Sequence, residues 1–207
     1  MINTITKLQK WNGHLYNWYN TKTLEPLIPR YISTVDNGNF IGYLYTTKQF
    51  LIDLINNIDE DVKFNEKKIK QIIDVIDRII NTTDFSILYD EKRHLFSIGY
   101  DVEQGKLTNS YYDLLASEAR QASLIAIAKR DINYKHWNYL SRTLTSLNGY
   151  KGLISWAGTA FEYLMPNVNI KEYEGSLLDE SCRFLIYSQI KYAEKLGIPF
   201  RNIRICI

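Results

Sequence analysis

Apolar residues recur at helical spacing in four stretches of this chain, and the polar positions between them mark where each helix should stop. Phe40, Tyr43, Leu44, Phe50, Leu51, Leu54 and Ile55 fall three and four apart, which predicts a helix over about 39–57. Ile69, Ile72, Ile73, Ile76, Ile79 and Ile80 trace a stripe with a helical period and predict a second helix over about 66–81. A third should run from about Tyr111 to Lys129, with Ser110 as N-cap and Asp113 at the third helical position in a box-like arrangement. A fourth should span Leu177 to Leu196, opened by Ser176 and closed by Gly197 and Pro199.

The remaining segments follow other rules. Gly13, Pro26 and Pro29 break the stretch from Trp11 to Arg30 into an ordered loop with room for short strands. In SILYDEKRHLFSIGYD, two apolar runs, Ile87 to Tyr89 and Leu95 to Tyr100, flank a polar break and predict a hairpin. Gly149, Gly152 and Gly158 punctuate the approach to a short helix over Phe161 to Met165, which Pro166 follows. Neither a linker nor a low-complexity tract interrupts the pattern. Helices therefore dominate, and the fold class is mostly α, with pockets built by the connecting loops.

Composition narrows the function classes. The 207 residues are 45% hydrophobic and 23% charged, enough for one packed domain and incompatible with a disordered tail. Lys and Arg number 25 against 23 Asp and Glu, and they are scattered, so the basic stripe of a nucleic-acid binder is missing. Cys182 and Cys206 form no paired motif, and His14, His94 and His136 stand far apart without an HExxH spacing. No metal or cofactor is expected. The start, MINTITKLQK, lacks the order of a signal peptide, and no apolar run is long enough to span a bilayer, so the chain is expected to be soluble and cytoplasmic.

One acid draws attention. With a third helix from Tyr111, Glu118 would lie in the inward stripe of Leu114, Leu115, Ala122, Ile125 and Ala126. Burial disfavours a carboxylate and raises its pKa, as a general acid needs, although a hydrogen-bonded core Glu would satisfy the same pattern. Arg120 points elsewhere and is not its obvious partner. Asp113 does not share its face and suits a capping role. A paired-carboxylate mechanism would recruit Asp36, Glu162, Asp179 or Glu180. Rings lie beside polar groups in Tyr16-Asn17-Trp18-Tyr19, Tyr111-Tyr112 and Ser155-Trp156, a combination that suits sugars as well as core packing. Arg30, Asp36 and Asn39, between the Pro-broken loop and a helix start, could form a pocket rim, or serve in turns and caps.

Five stretches then combine: GHLYNWYNTKTLEPLIPRYISTVDNGNFIGYL, FSILYDEKRHLFSIGYD, SYYDLLASEARQASLIAIAKRD, LISWAGTAFEYLMP and LLDESCR. In this order, from about Gly13 to Pro199, they resemble the glucoamylase-like middle domain of bacterial cyclic β-1,2-glucan synthases. The resemblance implies a partial (α/α)6 toroid with short β-hairpins in its loops and a cleft for β-1,2-glucan. It also implies a retaining transglycosylation that closes a linear chain into a ring; related domains hydrolyse the same glucan. The Glu of YYDLLASEAR falls on Glu118, implied to be the general acid/base. Tyr16, Trp18, Asp36, Asn39 and Trp156 are implied to lie near sugar. Arg30, Asp113 and Glu162 complete the expected substrate-binding set, Glu162 with Asp179 and Glu180 acting through cleft shape or structural hydrogen bonding.

The chain also departs from that pattern. After Gly197-Ile-Pro-Phe200 the family continues through a Gly-Ile-Ser-Glu-type segment carrying the second catalytic carboxylate, whereas Arg201 to Ile207 follow here, with Arg204 in place of an acid. Retaining glycosidases need two carboxyl groups about 5–5.5 Å apart. The expectation is a single incomplete domain over 1–207, departing from the family at 201–207, with little turnover alone. Association through exposed helix faces, or with the remainder of a larger, inner-membrane synthase, goes with it. The rival expectations are a non-catalytic glucan-binding or scaffolding remnant and a hydrolase completed by a second polypeptide.

Overall fold

Residues 2–57 and 65–199 are described by a computed structural model of the chain; Arg201 to Ile207, with Arg204 and Cys206, lie outside them. The elements in order are α1 (Ile2–Lys7), β1 (Lys10–Trp11), β2 (His14–Leu15), β3 (Tyr31–Ser33), α2 (Thr34–Asn56) and α3 (Glu66–Thr82). Four short strands follow, β4 (Tyr89–Asp90), β5 (Leu95–Phe96), β6 (Gly99–Asp101) and β7 (Lys106–Leu107). Then come α4 (Ala119–Lys129), α5 (His136–Tyr139), β8 (Leu144–Leu147), β9 (Tyr150–Leu153), α6 (Ala160–Leu164) and α7 (Leu177–Leu196). Among the described residues the strands pair antiparallel: β1 with β2, β4 with β5, β8 with β9, and a three-stranded sheet in the order β3-β6-β7. The fold is mostly helical with short hairpins in its loops, as the pattern implies.

Two helices match their predicted bounds closely. In α3, Ile69, Ile76, Ile79 and Ile80 are buried. The Ser176 side chain accepts the Asp179 N–H at the start of α7, and Gly197 closes it in a left-handed conformation. By contrast, α2 begins five residues before the predicted start. Ser33 caps it, accepting the Asp36 N–H at 3.2 Å, and its first buried positions are Thr34, Val35, Asn37 and Gly38, which carry little apolar signal.

The third helix is a larger correction. It begins at Ala119 rather than Tyr111, and neither Ser110 nor Asp113 caps it. Residues 111–118 instead spend their backbone groups on neighbours: Tyr112 N–H donates to Phe96 O at 2.9 Å, and Leu115 O accepts Trp156 N–H at 2.8 Å. Ser117, with φ +49°, ends any helical continuation. The predicted hairpin is also shorter than its apolar runs. Phe85–Leu88 forms a tight helical turn, and Gly99–Asp101 leaves the hairpin to pair with β3 and β7.

The main apolar cluster joins α2, α3 and α4 through Ile41, Leu44, Ile76, Ile80, Ala122 and Ala126, with Phe85, Leu88 and Phe96 beneath. A second cluster joins Leu114, Leu115, Leu153, Tyr163 and Leu185 across the 111–118 segment, β9, α6 and α7. A small third one, Val35, Tyr112, Ala116 and Ala119, lies around the start of α4. No described helix is long and apolar enough to cross a membrane.

Two buried histidines make stability depend on pH. His14 Nε2 donates to Asp84 O at 2.8 Å; His136 Nδ1 donates to His94 O at 2.9 Å, and its Nε2 accepts from Ser123 Oγ at 3.0 Å. Burial lowers both pKa values despite the bonds to carbonyls. The unfolded chain therefore binds more protons than the folded one below about pH 6.5, and stability falls on acidification by up to about 1.4 kcal/mol per pH unit for each group. Urea unfolding between pH 7.5 and 5 should show this slope, and His136→Gln should flatten it. A midpoint unchanged over that range would contradict it.

Candidate active site

The loop from Tyr111 to Glu118 and the start of α4 carry the acid. Glu118 is 8% exposed and occupies the N-cap position of α4 (φ −99°, ψ 19°), not a helical stripe. Tyr112, Ala116 and Ala119, on either side of it in sequence, belong to the small apolar cluster at the start of α4. The Glu118 side chain makes no cap bond and turns to other partners. Asn39 Nδ2 donates to Glu118 Oε1 at 2.7 Å, and Ser117 Oγ donates to Oε2. Asn39 comes from α2, so the carboxylate is held across the α2–α4 interface. Gly38 and Gly42 permit that closeness: a Cβ on Gly38 would stand 2.5 Å from Ala122 Cβ, and one on Gly42 2.1 Å from Gln121 Nε2.

The Tyr112 ring lies near the acid. Tyr112 packs edge-on against Trp156 with centroids 5.9 Å apart. Burial pushes the Tyr112 phenol up strongly, and the nearby charges of Glu118 and Asp36 add to it. Trp156 is 58% exposed, and its backbone N–H donates to Leu115 O. A cleft of about 260 Å³ next to it is lined by Asp113, Ser141, Thr143, Ser155 and Trp156. The Asp113 carboxylate receives the Ser141 N–H and hydroxyl and the Leu114 N–H.

The other singled-out residues divide. Asp36 is exposed in the first turn of α2, close to Tyr112. Glu162 is 3% exposed and bonded to the Ser117, Ala157 and Thr159 amides. Tyr16 is buried in the main apolar cluster with its ring edge on Tyr19. Trp18 is exposed on its loop, where its carbonyl accepts the Leu27 N–H. Arg30 pairs with Glu103 at 3.5 Å. Asp179 accepts the Gly175 N–H and pairs with Arg183, and Glu180 is exposed.

The sequence places Tyr112 only in a general aromatic pair suited to sugars, sets Arg120 aside as pointing elsewhere, and gives Ser117 no part in the site. Arg120 is 1% exposed and points away from Glu118. Its guanidinium donates to Glu162 O at 2.9 Å, Tyr163 O at 2.6 Å and Asn167 Oδ1 at 2.8 Å. Their signal was adjacency to Glu118 within the YYDLLASEAR motif, which spacing alone does not interpret.

The arrangement of helices and short hairpins is a mostly helical, glucoamylase-like fold. It superposes on a candidate glucoamylase from Bacteroides fragilis NCTC 9343 with a TM-score of 0.72, 14% identity, and coverage of 94% of this chain and 48% of that one. A candidate glucoamylase from Bacteroides caccae ATCC 43185 gives 0.68, 14%, 94% and 49%. In sequence the chain is similar to the cyclic β-(1,2)-glucan synthase NdvB of Rhizobium meliloti (strain 1021), 26% identical over 315 aligned residues. That alignment takes in 96% of this chain and 11% of the synthase. The family resemblance carried by the five motifs therefore holds along nearly the whole chain. The aligned region is longer than the chain itself, so the synthase carries residues within it that this chain lacks. No protein-family model matches.

Proposed function

We propose that this chain is a glucan-processing domain that takes β-1,2-linked glucan, its helices forming part of an (α/α)6 toroid. The observation that carries the reading is the Glu118 carboxylate, nearly buried, oriented by Asn39 and Ser117 and near Tyr112, whose ring packs on the exposed Trp156. A sugar stacked on Trp156 would place its hydroxyls against the polar lining of the adjoining cleft. In this reading Glu118 lends a proton to the glycosidic oxygen. Asp113, Glu162 and Asp179 are occupied by structural partners. Among the described residues the Asp36 carboxylate makes no hydrogen bond or ion pair, which suits it to contact sugar at the rim. The chain alone then binds linear β-1,2-glucan and turns it over little. Phe161, Leu164 and Val168, exposed on α6 and the turn after it, and Ile186, Ile190 and Leu196 on α7 are among the apolar positions available for association with a larger assembly.

Calorimetric titration with linear β-1,2-glucan should show binding, and Trp156→Ala should weaken it by about tenfold, the worth of one aromatic stack. Any cyclic or shortened product formed on incubation should vanish in Glu118→Gln. Absence of binding would overturn the glucan reading; products that survive Glu118→Gln would overturn the role of the acid. Binding with no product at all would favour a non-catalytic glucan-binding protein.

A further inference from the structure

Glu118 stands at the end of a strained approach. Ser117 holds φ +49°, a left-handed conformation directly before Glu118 and α4. No side chain caps α4, so helix formation does not impose it. Glu162 supplies a constraint on each side of Glu118. Its Oε1 accepts the Ser117 N–H at 3.4 Å, and its main-chain carbonyl accepts Arg120 Nη1–H at 2.9 Å. The carboxylate has little freedom of its own, because it also accepts the Ala157 N–H at 2.9 and 3.1 Å, the Thr159 N–H at 3.0 Å and the Thr159 hydroxyl at 3.1 Å. Burial pushes this carboxyl up, yet the bonds from Thr159, Ser155, Ala157 and Ser117 outweigh it and hold it below its ordinary value. Every neighbour is a donor, and an ionised carboxylate only accepts.

We propose that Glu162 is a positioning residue for Glu118, its side chain fixing the residue before and its carbonyl the residue on the first turn after. The Glu118 carboxylate is thereby delivered to Asn39 and to the Ser117 hydroxyl. Capping of α6 would require only the bonds to Thr159; the bond to Ser117 joins a different segment. The same carboxylate fixes Ala157, next to Trp156, so the acid and the exposed ring share one anchor. The proposal rests on the reading of Glu118 as proton donor and adds the group that aims it.

The Asn39 side-chain amide reports on this directly, because its Nδ2 donates to Glu118 Oε1 at 2.7 Å. Its two N–H signals, identified by their loss in Asn39→Ser, are followed by NMR in the isotope-labelled chain as they exchange with solvent. In Glu162→Gln exchange should quicken by about tenfold or more, as expected for loss of a hydrogen bond to a charged group, and should approach the rate in Glu118→Ala. Thr159→Val removes the capping hydroxyl but leaves the Ser117 bond, and should exchange near the wild-type rate. Where Glu162→Gln does not fold, Glu162→Asp keeps the charge and the α6 cap while withdrawing the carboxylate from Ser117, and carries the same expectation. Wild-type exchange in the Glu162 variant, or equal acceleration by Thr159→Val, would overturn the proposal. The readout needs no turnover, so a chain inert toward glucan would sink the glucan reading and leave this result standing.

Discussion

Replacing Arg120 by Ala should lower the free energy of unfolding by about 3–5 kcal/mol, because three acceptors would lose a charged donor in a place water does not reach. Glu162 O, Tyr163 O and Asn167 Oδ1 receive its guanidinium, and the residue is 1% exposed. Burial depresses the Arg120 pKa, with the charge of Glu172 among the opposing influences, so the cation already stands at a desolvation cost. No described carboxylate pairs with it; the two carbonyls near the C-terminal end of α6 supply the compensating negative potential. Arg120→Met fills much of the space but leaves the same acceptors empty, and should cost less than Ala yet clearly more than a surface change. Urea unfolding measures both. An Arg120→Ala variant within 1 kcal/mol of wild type would show that those carbonyls find water instead, and the docking of α4 on α6 would need another source.

The legible parts of the fold are those whose buried faces are apolar. The Ile stripe of α3 and the Ser176 to Gly197 span of α7 could be read from periodicity and caps alone. The start of α2 could not, because Val35 is the one apolar side chain buried there beside Thr34, Asn37 and Gly38. Asn37 is buried for its bonds, donating to Leu15 O at 3.0 Å and Ser33 O at 2.9 Å and accepting the Leu15 N–H at 2.8 Å. The 111–118 segment misled in the opposite direction. Leu114, Leu115 and Ala116 are buried, but by neighbouring loops and β9, so apolar spacing suggested a helix where the backbone is irregular. The β8–β9 hairpin carried a signal that glycine punctuation blurred: Asn148-Gly149, both at positive φ, is the preferred chemistry for a two-residue turn.

The acid shows both faces of such reading. Glu118 was singled out as a carboxylate on an inward helical stripe; the burial is real and the stripe is not. Its surroundings are a loop and a helix start held by Glu162 and Asn39, which come from two other segments of the chain. Partners that distant in sequence leave no periodic trace. Pairings such as Asn39 with Glu118, 79 residues apart, become visible only once the chain is folded.

Gly38→Val should destabilise the chain by about 3 kcal/mol and loosen the site at the same time. The first carbon of the new side chain would stand 2.5 Å from Ala122 Cβ and 2.9 Å from Ala122 Cα, and the second of these is backbone, which no rotamer change relieves. A glycine in a helix interior ordinarily costs about 1 kcal/mol relative to alanine. Gly38→Ala therefore sets propensity against crowding, and crowding should win because the contact falls far below van der Waals separation. Ala122→Gly in the Gly38→Ala background should recover part of the loss, a coupling that a double-mutant cycle isolates. Any separation of α2 from α4 also draws Asn39, the next residue, away from Glu118. The Asn39 amide should then exchange faster in Gly38→Ala even where the fold persists. A Gly38→Ala variant as stable as wild type, with that amide still protected, would mean that the two helices do not meet as closely as Gly38 and Gly42 imply.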